Sequence, residues 1–268
     1  MATYTGTADA SGNFNISFGG NSYVGAQKVT VTAAKDGGFK TVELFAPADL
    51  TGGGVIRFSG NMTSFPTNIG VITLGSEIAG ALPTYCFSAS SPTSMYAQAT
   101  GLIIAGAVTS IGSYCFQGWA KATSITFPAS SLTTIGAYAF YNCSKLESIN
   151  IPNSVTTLND SSFKSCTSAL TINTGNGVQT IPVSCFQDAT ACTSFIIGTA
   201  VNNIQAGSLT NLTSCNEMIV KPTTPPALNV NAIQFLKSTC VIKVPSASLS
   251  AYQTATNWST YASKMVGV

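Results

Sequence analysis

The chain has 268 residues, of which 45% are hydrophobic and only 7% are charged, and its formal net charge is +2. This apolar content without any block of like charge excludes an intrinsically disordered chain, and 11 basic residues scattered singly exclude a basic patch for nucleic acid. No apolar run approaches the roughly 18 residues that a membrane-spanning helix needs, so we expect no membrane insertion.

Residues 1–50 are predicted to form a small β unit. Apolar and polar side chains alternate in residues 13–18, 28–32 and 40–45, and glycine-containing turns separate these segments. A few short strands are marginally stable alone. We therefore expect this unit to be stabilised by packing against the rest of the chain, against a copy of itself or against a partner.

The N-terminal unit also carries a resemblance. Residues 5–14 and 25–33 are similar to N-terminal segments of tailed-phage tail-fibre and tail-tip proteins, and also to the closing strands of bacterial Ig-like modules. Residues 1–9 have neither the basic segment nor the apolar core of a secretory signal. We therefore expect either a trimmed chain or a protein that reaches the outside within a particle assembled in a cytoplasm.

Residues 47–54 contain the proline and glycines of a predicted hinge. Residues 55–58 and 71–74 are predicted strands that begin the second domain as its N-terminal cap.

A repeat with a period of about 23 residues fills most of the second domain. In each copy an aliphatic anchor precedes a second large apolar residue, which is phenylalanine in five copies. The six pairs are Leu82 and Phe87, Ile111 and Phe116, Ile135 and Phe140, Leu158 and Phe163, Ile181 and Phe186, and Ile204 and Leu209.

Each copy also contains a short segment in which inward and outward side chains alternate, which predicts a strand with one buried face. These segments are residues 102–104, 125–127, 149–151, 172–174, 195–197 and 218–220. One copy is too short to bury its own apolar faces, so the copies must stack and share a parallel sheet. The predicted fold is mainly β, a solenoid over residues 51–245.

Two stretches in the middle copies carry a family resemblance. Residues 135–143 (IGAYAFYNC) and 146–152 (LESINIP) resemble the Treponema-type (BspA-like) leucine-rich repeat, and the resemblance extends over roughly residues 78–245. It implies a leucine-rich-repeat solenoid and, as one function, adhesion or host interaction at a bacterial cell surface.

The sequence departs from this family's pattern in the C-terminal copies. Ser161, Ser184 and Gly207 stand where the family prefers an aromatic residue, and Leu209 stands where it prefers phenylalanine. We therefore expect thinner packing toward the C-terminal copies.

The first copy contains an insertion, residues 88–100, which includes Tyr96. Extra residues in one repeat must loop out, and such loops often lie on a binding face. Tyr96 is therefore a candidate recognition residue, and an inert surface loop is the alternative.

The pattern changes beyond residue 221. Residues 222–226 include three prolines and predict a rigid extended bridge, and residues 240–245 predict a last strand. Residues 246–268 are the predicted C-terminal helical cap, in which Ser246 or Ser248 begins a short helix. The face predicted to cover the last repeat consists of Leu249, Tyr252, Ala255 and Trp258.

The eight cysteines occupy repeat positions, and we expect them to be small buried side chains. Cys86, Cys115 and Cys185 stand where Ala139 stands, and Cys143 and Cys166 share another position. Disulfides between stacked copies stay open as an alternative, although assembly in a cytoplasm argues against them.

Several kinds of catalytic and metal site are missing from the sequence. It has no histidine and no Cys-x-x-Cys pair, so we predict no zinc site, no cofactor and no Ser-His-Asp or Cys-His catalysis. The nine carboxylates are scattered singly. We therefore predict that the protein is not an enzyme.

The outward residues of the predicted strands are the candidate recognition surface. Small hydroxyls and amides dominate it, and two isoleucines add an apolar patch. The alternative, which has equal weight, is that this face of the sheet only contacts solvent and binds nothing. The candidates are Ser124, Thr126, Ser148, Asn150, Thr171, Asn173, Ile196 and Ile219.

The first functional hypothesis is a non-enzymatic phage tail-fibre or tail-tip adhesin, assembled in the host cytoplasm and located in the virion. Its solenoid would bind a protein or glycan on the bacterial surface, and residues 1–50 would attach to other tail proteins. The hypothesis is compatible with two oligomeric states, a homotrimer and a monomer. The alternative is a leucine-rich-repeat adhesin or host-interaction protein on a bacterial cell surface.

Overall fold

The computed structural model describes residues 70–75, 78–89 and 95–268, and also the backbone of four strands within residues 14–59. The predicted hinge and residues 90–94 of the insertion lie outside the described residues. The strands are β1 (Phe14–Ser17), β2 (Lys28–Lys35), β3 (Gly38–Phe45), β4 (Val55–Ser59), β5 (Val71–Leu74), β6 (Ala79–Leu82), β7 (Gly101–Ile104), β8 (Ala107–Ile111), β9 (Ser124–Thr126), β10 (Thr134–Ile135), β11 (Ser148–Asn150), β12 (Thr157–Leu158), β13 (Thr171–Asn173), β14 (Thr180–Ile181), β15 (Ser194–Ile197), β16 (Asn203–Ile204), β17 (Glu217–Val220), β18 (Ala227–Leu228), β19 (Val241–Val244) and β20 (Met265–Gly267).

The repeats form a parallel β solenoid, as the sequence predicts. Each coil contributes one strand to a long-strand ladder, which runs β5-β7-β9 and then β11-β13-β15-β17-β19-β20. Each coil contributes a second strand to a short-strand ladder, which runs β6-β8-β10-β12 and then β14-β16-β18. Equivalent residues pair in register, since Ile149 lies beside Ile172 and Ile172 beside Phe195. The sequence period therefore sets the strand register.

The N-terminal strands extend the long-strand ladder with antiparallel pairs. β4 pairs with β5, and β1 pairs with β4, whereas β2 and β3 form a separate antiparallel pair. The three predicted strands of residues 1–50 are confirmed. The domain boundary at residue 50 stays a prediction, and the β1–β4 pair crosses it.

A single file of phenylalanine rings runs through the core between the two ladders. Phe116, Phe140, Phe163 and Phe186 are fully buried, and their ring planes lie within 9° of parallel from one coil to the next. The distances between consecutive ring centroids are 5.3, 5.1 and 5.6 Å. This spacing suits both strand stacking and offset ring contact, so one interval satisfies the backbone and the core.

The file ends where Leu209 replaces phenylalanine, and the buried core continues through this coil. Leu209 is fully buried, and Phe195 of β15 packs edge-on against Phe186 at 5.3 Å. The row of buried apolar side chains therefore continues at Leu209 without an aromatic ring.

The turn after each short strand forms a third row of inter-coil hydrogen bonds. The amides of Tyr138, Phe140 and Asn142 donate to Asp160, Ser162 and Lys164 of the next coil, over 2.8–3.0 Å. Tyr138 and Asn142 have φ values of 56° and 58°, in the left-handed region. The three donating amides therefore all bind carbonyls of the next coil, and two of them belong to left-handed residues.

The C-terminal segment covers the last coil, but it is not one helix. Ser246–Ser248 is a 3-10 turn, Leu249–Thr254 is helix α1, and Trp258–Lys264 is a second 3-10 segment. The predicted short helix is confirmed as α1, which ends at Thr254 because Ala255 is extended and Asn257 has a φ of 65°. The predicted covering face is confirmed, with Tyr252 and Trp258 fully buried.

The cap binds the last coil through side-chain donors on backbone carbonyls. Each bond satisfies a carbonyl that no further coil is present to bind. The bonds of 2.6–2.8 Å run from Ser248 to Thr223, Tyr252 to Pro222, Asn257 to Leu228 and Trp258 to Pro226. Ser248 occupies the N-cap position of α1, as predicted, but its hydroxyl donates to the Thr223 carbonyl instead of making a side-chain cap bond.

Candidate functional site

The outward residues of the long-strand ladder lie in two adjacent columns, which we call the polar face. Strand pairing places Ser148, Thr171, Ser194 and Glu217 side by side in the first column. The second column is Asn150, Asn173, Ile196, Ile219 and Lys243. The candidates from β11 onward are therefore brought together as neighbours in one sheet.

Ser124 and Thr126 belong to the preceding sheet but continue the same side of the solenoid. β9 and β11 fall in separate sheets, although the Glu147 amide donates to the Thr123 carbonyl at 3.0 Å and keeps the two coils stacked. Both Ser124 and Thr126 are exposed.

The polar face changes character along the solenoid. Its N-terminal part carries exposed hydroxyls and amides, including Thr171 and Asn150. Toward the C-terminal end the half-buried Ile196 and Ile219 lie side by side. Asn173 is partly engaged, because its side-chain oxygen accepts a hydrogen bond from the Gly175 amide at 3.0 Å.

Tyr96 does not lie on the polar face. It belongs to the 3-10 segment Met95–Gln98, and its ring packs on Trp119 at 6.1 Å and edge-on to Phe87 at 5.7 Å. Burial raises the pKa of its hydroxyl above the ordinary value. This tyrosine stabilises the first coils, and we leave it out of the candidate surface.

One ion pair bridges the two columns. Lys243 Nζ lies 2.6 Å from Glu217 Oε2, and the Ser194 hydroxyl donates to Glu217 Oε1 at 2.9 Å. The hydrogen bond from Lys243, followed by the bond from Ser194, lowers the pKa of the Glu217 carboxyl.

We expect Glu217→Gln to lower the melting temperature slightly at pH 7 and to lower it less near pH 3. A carboxyl whose pKa is lower in the folded state than in the unfolded state stabilises the fold at pH values above its unfolded pKa. This contribution disappears as pH falls through the folded pKa. Exposed pairs contribute less than about 1 kcal/mol. Thermal melts of the wild type and the variant at pH 7 and near pH 3 test this prediction. An equal difference in melting temperature at the two pH values would contradict the lowered pKa of Glu217.

A row of tyrosines, exposed at Tyr85 and half-buried at Tyr114 and Tyr138, was missed as a candidate surface. Tyr85, Tyr114 and Tyr138 stack on the turn that follows the short-strand ladder, with ring centroids 4.7 and 4.9 Å apart. Tyr85 is 56% exposed. A tyrosine three residues after the anchor in three consecutive copies was the sequence signal for this row.

The tyrosine row also explains the family departures. Ser161, Ser184 and Gly207 continue the same position and share its positive φ of 54–66°. Because the position lies outside the phenylalanine file, losing an aromatic ring there shortens a surface stack. The expectation of thinner packing in the C-terminal copies stays a prediction.

The described part of the chain contains no group of three or more His, Cys, Asp or Glu side chains placed to hold a metal ion. Within the same residues, no helix is both long and apolar enough to cross a membrane. All eight cysteines are free thiols, seven of them buried.

Several solved structures are similar to the chain, each at less than 20% sequence identity. No curated protein sequence matches the chain. Similar solved structures include a leucine-rich repeat protein of T. pallidum, at 17% identity and a TM-score of 0.47, covering 70% of this chain and 83% of that one. A leucine-rich cell surface protein of Faecalibacterium prausnitzii has 15% identity and a TM-score of 0.44, covering 72% and 70%.

The pneumococcal vaccine antigen PcpA has 16% identity and a TM-score of 0.43, and the match covers 89% of this chain and 48% of PcpA. The sequence model for the BspA type leucine rich repeat region matches residues 80–216 in six copies. That match takes in just over half of the chain and the coils that contain the phenylalanine file. The chain therefore belongs to the BspA-type leucine-rich repeat family.

Proposed function

We propose that this protein is a non-enzymatic adhesin that binds a protein or glycan of a bacterial surface through the polar face. The observation that carries the proposal is the in-register alignment of short hydroxyl and amide side chains on a rigid parallel ladder. Such side chains lose little conformational entropy on binding, and a preorganised sheet avoids the cost of ordering a loop.

The chemistry of the polar face supports binding over catalysis. Its charged side chains Glu217 and Lys243 bind each other, so neither is poised as a general acid or base. The neighbouring isoleucines supply a small apolar area beside the hydrogen-bonding groups. This combination of an apolar area and polar groups is typical of protein recognition surfaces.

We expect the double substitution Asn150→Lys and Thr171→Lys to weaken binding of the labelled full chain to susceptible bacterial cells by at least tenfold, about 1.4 kcal/mol. Two long charged side chains would block close approach and would need to be desolvated. Both residues are exposed, and the structure assigns no side-chain hydrogen bond to either one. Flow cytometry over a panel of bacterial strains measures the affinity.

The matched control is Gln179→Lys with Asn202→Lys, which adds the same charge at exposed positions beside the short-strand ladder. Both variants should melt at the wild-type temperature, and the control should bind as the wild type does. Undiminished binding by the Asn150/Thr171 variant, or an equal loss by the control, would contradict the proposal.

The adhesin has two candidate settings. In a phage tail, residues 1–50 would attach the solenoid to other tail proteins, and the N-terminal resemblance supports this setting. On a bacterial cell surface, the solenoid would contact a neighbouring cell or host, and membership of the repeat family supports this second setting. Immunogold labelling distinguishes them, because gold on particle tails supports the first and gold on intact cells supports the second.

A further inference from the structure

Cys86 and Cys115 occupy the same position in adjacent coils, and their sulfurs lie 3.1 Å apart. The amide of the next residue, Phe87, donates to the Cys115 carbonyl at 3.0 Å, which fixes the two coils at this point. Stacked strands are about 4.8 Å apart, which lies within the Cα separation that disulfides span. The pair is therefore placed to form a covalent bond without moving the backbone far.

Cys143 and Cys166 share another position in adjacent coils and provide an internal contrast. Each thiol donates to a carbonyl of the preceding coil, Cys143 to Phe116 and Cys166 to Phe140, both at 3.4 Å. Both residues are fully buried. Their sulfurs are thus directed to the backbone and closed to solvent, whereas Cys86 is only partly buried.

We propose that Cys86 and Cys115 are an oxidation site, at which exchange with a small-molecule disulfide such as oxidised glutathione forms a bond between the first two coils. The Cys86 thiolate attacks one glutathione sulfur, giving a mixed disulfide and releasing one glutathione. Cys115 then loses its proton and attacks the Cys86 sulfur, and the second glutathione leaves. Two protein thiols are oxidised to one disulfide while oxidised glutathione is reduced to two glutathione molecules.

The order of attack follows from burial. Cys115 is fully buried, and burial raises the pKa of its thiol well above the ordinary value, so a reagent in solution reaches Cys86 first. The bond closes a loop that contains the insertion, residues 88–100. A closed loop reduces the freedom of the unfolded chain, so oxidation should stabilise the first two coils. The bond would form whether or not the polar face binds a receptor.

The experiment incubates the reduced full chain with oxidised glutathione, alkylates the free thiols under denaturing conditions and maps the peptides. Trypsin leaves both cysteines in residues 58–121, because no lysine or arginine lies between Arg57 and Lys121. We expect this peptide to carry no alkyl group and to have lost two hydrogens. Chymotryptic cleavage between the two cysteines should then give fragments that stay joined until they are reduced.

Cys143 should be alkylated on residues 122–145, and no peptide joining it to Cys166 should appear. The melting temperature should rise by roughly 5 °C or more, and dithiothreitol should reverse the rise. Cys86→Ala is the control variant, because alanine already occupies this position at Ala139. In this variant Cys115 should be alkylated after oxidation, and the melting temperature should not rise.

Three outcomes would overturn the proposal. The first is full alkylation of both cysteines after oxidation. The second is a glutathione adduct on Cys86 that never resolves onto Cys115. The third is a bond between Cys143 and Cys166 that forms as readily as the bond between Cys86 and Cys115.

Discussion

Phe163→Ala should lower the free energy of unfolding by about 3–5 kcal/mol, since it removes a fully buried ring from the middle of the phenylalanine file. The ring contacts Phe140 at 5.1 Å and Phe186 at 5.6 Å, so both neighbours lose a stacking partner. Each ring pair contributes roughly 0.5–1.5 kcal/mol beyond the area that it buries. Urea unfolding followed by circular dichroism measures the change.

Leu170→Ala is the control for this prediction, because Leu170 is in the adjacent segment and is 51% exposed. It should change stability by no more than about 0.5 kcal/mol. The loss of stability in Phe163→Leu should lie between the losses in Phe163→Ala and Leu170→Ala. If Phe163→Ala cost as little as Leu170→Ala, the rings could not form a continuous core.

Trp258→Ala should have the second large effect, because it removes both packing and a hydrogen bond from the C-terminal cap. The indole is fully buried, packs edge-on to Tyr252 at 5.3 Å and donates through Nε1 to the Pro226 carbonyl at 2.8 Å. The cavity costs about 3–5 kcal/mol and the unpaired carbonyl about 1–3 kcal/mol. Calorimetry measures the loss, and hydrogen exchange should show that β18 and β19 lose protection first.

Trp258→Phe should cost less than Trp258→Ala, because it keeps a six-membered ring and removes the N–H donor with the rest of the indole. Its cost should be about 1–3 kcal/mol. Gln253→Ala, at an exposed position of α1, should be neutral. Uniform loss of protection along the whole solenoid in Trp258→Ala would contradict a cap that acts on the last coil.

The periodic features of this fold could be predicted because two repeating requirements coincide in the sequence. An anchor such as Ile135 and a ring such as Phe140 recur at one spacing, and the alternation around Ile149 gives the inward side of the long strand. Together they predict the ladders, the phenylalanine file and the neighbours on the polar face. The sequence of a repeat protein predicts the strand register because each coil pairs with a coil of nearly the same sequence.

The irregular features depend on contacts that no period encodes. The cap is split at Asn257, whose left-handed backbone lets its side chain reach the Leu228 carbonyl at 2.6 Å. Tyr96 packs inward because Trp119 and Phe87 present ring surfaces to it. Such contacts join residues that lie far apart in sequence, so alternation alone could not reveal them.

The central claim is that the second column of the polar face is an unbroken row of neighbours, which β20 continues at Val266, and a distance along this row tests the claim most directly. Genetically encoded spin labels at Asn150 and Val266 avoid the eight native cysteines, and both positions are exposed. Five inter-strand steps separate them along β11, β13, β15, β17, β19 and β20. Pulsed electron resonance should give a narrow distribution near 24 Å, from about 4.8 Å per step. A broad distribution, or a mean beyond about 35 Å, would contradict the stacked ladder on which the recognition surface depends.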